Sequence, residues 1–157
     1  MDLDLQYDKI YRYCYYKVRD KQTAEDITQE TFLRFLDSGY SEQGKKLQYL
    51  YTIARHLCID HFRRQGQAAV LFENESESAA DASRFSGFED VVTVRADVQK
   101  AISMLSEEDR EILLLKYANE EKDHVICKVY GMSRFALYRR LRRLKRTLRA
   151  LLSDDYL

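Results

Sequence analysis

Between Ser133 and Arg149 the chain places eight basic side chains (Arg134, Arg139, Arg140, Arg142, Arg143, Lys145, Arg146 and Arg149) and no acid. Cations at this density, interleaved with Phe135 and Tyr138, suit one kind of chemistry: neutralising phosphates while the side chains between them reach base edges. A charge run alone is most often a solvated helix face. This one follows Tyr130-Gly131-Met132-Ser133, where Gly131 can take a left-handed turn and Ser133 can cap the next helix. Val125, Ile126 and Val129 form a short apolar helix before the turn, and Leu137, Leu141, Leu144 and Leu148 form a buried stripe after it. That stripe turns Arg134, Phe135, Tyr138, Arg139, Arg142 and Arg143 outward or to the flanks. The pattern predicts a helix-turn-helix whose second helix, ~25 Å long, fits a major groove of duplex DNA. Its first turn would lie at base edges and its later arginines at phosphates.

The other reactive side chains do not assemble into a catalyst. Cys58 and His61 lie three apart on one helix face, but no third ligand or orienting acid has matching spacing, which argues against zinc or thiol chemistry. Glu107, Glu108 and Asp109 follow Ser106 in a capping box, where the helix dipole accounts for them. Gly-rich phosphate loops, HExxH and DxDxDG patterns are missing. The expectation is a non-enzyme with no cofactor and no metal. Cys14, Cys58 and Cys127, odd in number and without a CxxC pair, read as reduced thiols, with Cys14 and Cys127 serving as small core hydrophobes.

The elements that must position the basic helix follow from length and periodicity. The 157 residues suffice for one ordinary domain or two small helical ones. With 33% charged residues and no apolar run near the ~20 that a bilayer helix needs, no membrane insertion is expected. The polar start Met1-Asp2-Leu3-Asp4 is unlike a signal peptide, which predicts a cytoplasmic protein. The net charge of zero, from 26 basic and 26 acidic side chains, conceals an asymmetry. Residues 1–64 carry 11 basic and 10 acidic groups, residues 65–97 carry 2 and 7, and residues 98–157 carry 13 and 9.

Tyr7, Ile10, Tyr11, Cys14, Tyr15 and Val18 recur at helical spacing. A second helix is expected from a Thr23-Ala-Glu-Asp26 cap to about Asp37, with Ala24, Ile27, Thr31 and Phe35 on one face. After an exposed loop through Gly39 and Gly44, a third helix to about Arg64 packs Leu47, Leu50, Tyr51, Ala54, Cys58 and His61, while Tyr49, Thr52, His56 and Arg63 point elsewhere. From Gln65 the periodicity fades into Ser, Ala, Gly and acids. The predicted fold is all-α: two small helical domains, 1–64 and 98–157, joined by a flexible acidic linker, 65–97.

On three stretches the sequence resembles the extracytoplasmic-function group of bacterial sigma factors. Ala24-Glu-Asp-Ile-Thr-Gln-Glu-Thr-Phe-Leu-Arg-Phe-Leu36 is similar to the family's core-binding helix in region two. Leu50-Tyr-Thr-Ile-Ala-Arg-His-Leu-Cys-Ile-Asp-His-Phe-Arg-Arg64 is similar to its promoter-melting and minus-ten helix. Leu105 to Tyr117, Gly131-Met-Ser and Leu141-Arg-Arg-Leu-Lys-Arg resemble the region-four domain that reads the minus-thirty-five element.

The resemblance implies that Asp26, Gln29, Glu30, Leu33 and Arg34 contact the clamp helices of the RNA polymerase core, which with its flap would be the main partner. It implies that Tyr40, Tyr49, Thr52, Arg55, His56 and Arg63 handle single-stranded minus-ten bases of promoter DNA. Ser133, Arg134, Phe135, Tyr138, Arg139, Arg140 and Arg143 would read minus-thirty-five DNA. By the same resemblance the linker would thread the core near the RNA channel, and an anti-sigma factor is a possible further partner. The chain departs from the family at His56, where Asn is usual, at Glu120-Glu-Lys-Asp123, which lacks the usual Gly, and at Phe135-Ala-Leu-Tyr138, which replaces a more common Gly-Thr-Val-Lys. The family's base preferences therefore do not carry over. The competing reading is a free-standing helix-turn-helix repressor or recombination accessory protein. It leaves the first 64 residues without a role, and a protein that grips duplex alone usually has a basic overall balance.

Overall fold

The computed structural model describes residues 3–39, 45–71 and 96–156. Every regular element among them is helical, and the chain divides into two compact units, Met1–Gly87 and Phe88–Leu157. Most of the segment read as a linker lies outside the described residues, as do Tyr40 and the loop around it.

The first unit is built from α1 (Leu3–Val18), α2 (Lys21–Asp37) and α3 (Lys46–Leu71), which pack pairwise on one another. On α2 the expected stripe is the buried one: Ala24, Ile27, Thr31 and Phe35, joined by Thr28. The two buried threonines cost little because each hydroxyl donates to the carbonyl one turn back, Thr28 to Ala24 at 2.6 Å and Thr31 to Ile27 at 2.7 Å. On α3, Leu50, Tyr51, Ala54 and Cys58 are fully buried, and the helix continues to Leu71, past the Arg64 end expected from its periodicity.

The buried stripe of α1 is rotated from the expected one. Ile10, Tyr13, Cys14 and Tyr16 are buried, whereas Tyr11 and Tyr15 stack on each other at 6.2 Å and stay half-buried. Tyr13 meets Tyr51 edge-on, ring centroids 6.0 Å apart. Tyrosine carries an apolar body and a polar tip, so a helix with tyrosine on most faces does not announce which one is buried.

The start of α2 also differs in its donor and acceptor. Asp20, not Thr23, is the N-cap: its carboxylate accepts the Thr23 amide at 2.9 Å and the Thr23 hydroxyl at 2.7 Å. A carboxylate is the stronger acceptor at the positive end of a helix dipole, so the hydroxyl becomes a donor. The Thr23 hydroxyl, and after it the Thr23 amide, holds the Asp20 carboxyl below its ordinary range. A carboxyl more acidic folded than unfolded stabilises the fold above its unfolded titration and loses that contribution as pH falls through the folded value. Asp20→Ala is expected to lower the melting temperature near neutral pH. Far-UV dichroism melts should show the gap between variant and parent closing on acidification below the carboxylate range.

The second unit comprises α4 (Ala96–Ser103), α5 (Glu107–Leu113), a π-helical turn (Leu114–Ala118), α6 (Asp123–Tyr130) and α7 (Arg134–Tyr156). Ser106 caps α5, its hydroxyl accepting the Asp109 amide at 3.2 Å, as the capping box predicts. The core is formed by Ile112, Leu114, Leu115, Ile126, Leu137 and Leu144, all nearly inaccessible. The expected stripe on α7 is thus buried at Leu137 and Leu144, with Leu141 and Leu148 half-buried on its margins. Gly131 takes the left-handed conformation, φ +63°, that ends α6, and the Tyr130 hydroxyl before it donates to the nearly buried Glu111 carboxylate at 2.9 Å.

The π turn widens the end of α5 by one residue, so that the Asn119 amide reaches the Leu114 carbonyl at 3.0 Å. The chain then reverses at Glu120, which has φ +53°. This is a conformation glycine adopts without cost, and it lies in the turn where the sequence lacks the family's glycine. Glu120→Gly should relieve the strain and, after the added freedom of the unfolded chain, stabilise the second unit by about 0.5–1 kcal/mol. A urea titration that shows a lower midpoint for the variant would refute this.

Candidate functional site

Three surfaces carry the residues singled out from the sequence. On α2, Asp26, Gln29, Glu30, Leu33 and Arg34 are all exposed, on the side of the helix away from the core. The polar groups are ordered by pairs one turn apart: Gln22 donates to Asp26 at 2.9 Å, Gln29 to Glu25 at 3.4 Å, and Arg34 to Glu30 at 2.9 Å. Leu33 and Leu36 stand largely in solvent among them, 57% and 70% exposed. Leu36 belongs to this surface although the sequence reading did not select it. An acidic helix face around a leucine pair can dock a basic partner that excludes water from an apolar centre.

The same face runs into a groove between α2 and α3, where Asp26, Glu30 and Arg34 meet Leu57, His61 and Arg64. His61, expected to pack, is half-buried at this edge. Burial first and the Arg64 charge second lower its pKa, while Asp20 acts in the opposite direction. His61 therefore stays neutral to lower pH than an ordinary histidine.

On α3, Tyr49, Thr52, His56 and Arg63 recur at helical spacing, so they line one side, with Arg55 on its flank. His56 and Arg63 are exposed, whereas Tyr49, Thr52 and Arg55 are half-buried. The Tyr49 ring lies 5.9 Å from that of Phe35, which makes it a packing residue between α2 and α3 as well as a surface one. The Thr52 hydroxyl donates to the Gln48 carbonyl at 2.9 Å.

The third surface is the start of α7. Ser133 caps it, accepting the Ala136 amide at 3.1 Å. Arg134, Phe135, Tyr138, Arg139 and Arg143 are exposed, and the Arg139 guanidinium lies over the Phe135 ring, 4.9 Å from its centroid. Arg140 does not join them. Its side chain is 23% exposed and turns back onto α5, with Nε 2.6 Å from Asp109 and Nη1 2.7 Å from Glu108. Burial works against its charge, but hydrogen bonds and attraction from Asp109 and Glu108 outweigh this and leave it more firmly protonated than usual. Arg143 only brushes the same acid, Nη2 lying 3.9 Å from Asp109. Two adjacent arginines that look alike in sequence thus divide: Arg139 faces outward, and Arg140 fastens α7 to the first turn of α5.

Comparisons with known proteins agree with this architecture. The Sigma-70 region 2 family model matches residues 5–68, from α1 through most of α3. The ECF RNA polymerase sigma factor BldN of Streptomyces coelicolor is 32% identical over 157 aligned residues, covering 94% of this chain and 58% of that protein. SigM of Bacillus subtilis is 28% identical over 149 residues, covering 87% of this chain and 86% of its own. SigX of the same species is 38% identical over 64 residues, 40% of this chain and 33% of that protein. The chain therefore spans little more than half the length of BldN and a third of SigX. Among solved structures, the sigma factor RpoE, crystallised in complex with the anti-sigma factor NepR from Bartonella quintana, shares the fold with a TM-score of 0.64 and 19% identity over 98% of this chain and 95% of its own. The first unit thus matches Sigma-70 region 2, and over most of its length the chain is similar to extracytoplasmic-function RNA polymerase sigma factors.

Proposed function

We propose that the chain is a dissociable specificity subunit of RNA polymerase, which binds the core enzyme and directs initiation from particular promoters. The exposed face of α2 docks on the clamp helices of the core, and the second unit meets the flap. The exposed side of α3, with the loop before it, captures unstacked minus-ten bases, and α7 enters the major groove of the minus-thirty-five element. The observation that carries this reading is the pairing, in one chain of zero net charge, of an acidic docking helix with a capped basic recognition helix. A protein that does not carry enough positive charge to hold DNA alone gains its grip from a larger partner. The role is one of binding and positioning and requires no catalytic group of the chain's own.

Among the described residues no helix is long and apolar enough to cross a membrane, in keeping with work on the cytoplasmic transcription machinery. The same α2 face also suits capture by an anti-sigma protein; the fold neighbour RpoE was crystallised in complex with one, NepR.

Run-off transcription with purified core on genomic fragments tests the reading. It expects discrete transcripts that require the chain. Binding to duplex without core, and no transcript from any fragment, would favour a free-standing DNA-binding protein instead.

A further inference from the structure

The first turn of α7 carries more apolar surface than phosphate binding needs. Phe135 and Tyr138 are 67% and 60% exposed, while the hydrophobic core of the unit is closed by Leu137 and Leu144 on the other side of the helix. Phe135 is also held in place. The Arg139 guanidinium lies 4.9 Å over its ring, so one face is occupied by a cation and the rest is offered outward. With Arg140 drawn back to Glu108 and Asp109, the cations flanking the ring in the first two turns are Arg134 and Arg139.

Within a major groove, nearly everything a base pair presents is a hydrogen-bond donor or acceptor. A phenyl ring pressed against those groups would strip water from them and return no partner. The one apolar feature there is the C5-methyl group of thymine, with which phenylalanine is chemically matched.

We infer that Phe135 is a specificity-determining residue whose ring packs on a thymine C5-methyl in the duplex element read by α7, with Arg139 stacked on the ring as its positioning residue. The inference rests on the promoter-reading role proposed above and adds the base chemistry of one contact.

The test uses the full chain assembled with RNA polymerase core. Duplexes are selected from a random-sequence pool made with thymidine, and the winning duplex is rebuilt with deoxyuridine in place of thymidine at one position at a time, which removes a methyl and leaves base pairing intact. One such replacement should weaken binding about fourfold, the equivalent of one buried methyl at ~0.8 kcal/mol. Phe135→Ala should bind the thymidine duplex about fourfold more weakly and no longer distinguish it from the deoxyuridine duplex, whereas Phe135→Leu should keep part of the distinction. Because the ring is exposed, Phe135→Ala should melt at the parental temperature.

Equal binding of the parent to every deoxyuridine duplex would overturn the inference, as would a Phe135→Ala protein that remains methyl-sensitive. If no duplex is enriched from the pool, promoter reading itself fails, and the contact with it.

Discussion

A chain carrying Gln29→Lys and Glu30→Lys is expected to lose measurable affinity for RNA polymerase core while keeping its fold. Both side chains are exposed on α2, and the ion pair disrupted among the described residues is Glu30 with Arg34, a surface pair at 2.9 Å whose contribution to stability is at most about 1 kcal/mol. Docking is affected far more. Like charges brought together at an interface cost several kcal/mol, and two new ammonium groups facing a basic partner should weaken binding by at least about a thousandfold. The replacements also set those charges beside Leu33, whose apolar contact needs water excluded around it. A binding titration with labelled core, run beside a thermal melt, separates the two effects. Retained core affinity with an unchanged melt would remove α2 from the docking surface.

The neighbouring arginines of α7 should respond in opposite ways. Arg140→Ala leaves Glu108 without this cation and Asp109, only 11% exposed at its side chain, with just the 3.9 Å contact to the exposed Arg143. Removing one member of a buried pair strands the other. Allowing for the partial exposure of Arg140 and Glu108, the loss should be about 2 kcal/mol, or roughly 10 °C in the melting of this small unit. Arg139→Ala removes an exposed side chain stacked on an exposed ring and should change stability by less than about 0.5 kcal/mol. Its cost falls on DNA binding: the slope of log affinity against log salt should drop by ~0.9 if Arg139 holds one phosphate. Below its melting temperature Arg140→Ala should keep the parental slope. An unchanged melt for Arg140→Ala would mean that its ion pairs do not fasten α7, and a reduced slope would mean that they give way when DNA arrives.

That contrast marks where reading from sequence reaches its limit. Ser106, Gly131 and Ser133 were legible because caps and left-handed turns are made within a few residues, by side chains chosen for that geometry. The buried face of α2 was legible because its apolar spacing has only one solution. Arg140 was not, since its partners lie 31 and 32 residues away and nothing local distinguishes it from Arg139. The cap of α2 was misplaced by three residues because Asp20 and Thr23 are both good caps and only the folded geometry decides which one accepts. Among the residues marked for single-stranded DNA, Tyr49 proved to serve packing as well, its ring meeting Phe35. A tyrosine at helical spacing fits either use.

The clamp formed by Arg140 also has a practical meaning for engineering. Because orientation of α7 is secured from its rear by Glu108 and Asp109, positions 134, 135, 138, 139 and 142 can be treated as an interchangeable reading head. Libraries that randomise them while sparing 140 should yield mostly folded proteins with new promoter tastes, whereas libraries that include 140 should be crowded with unstable clones.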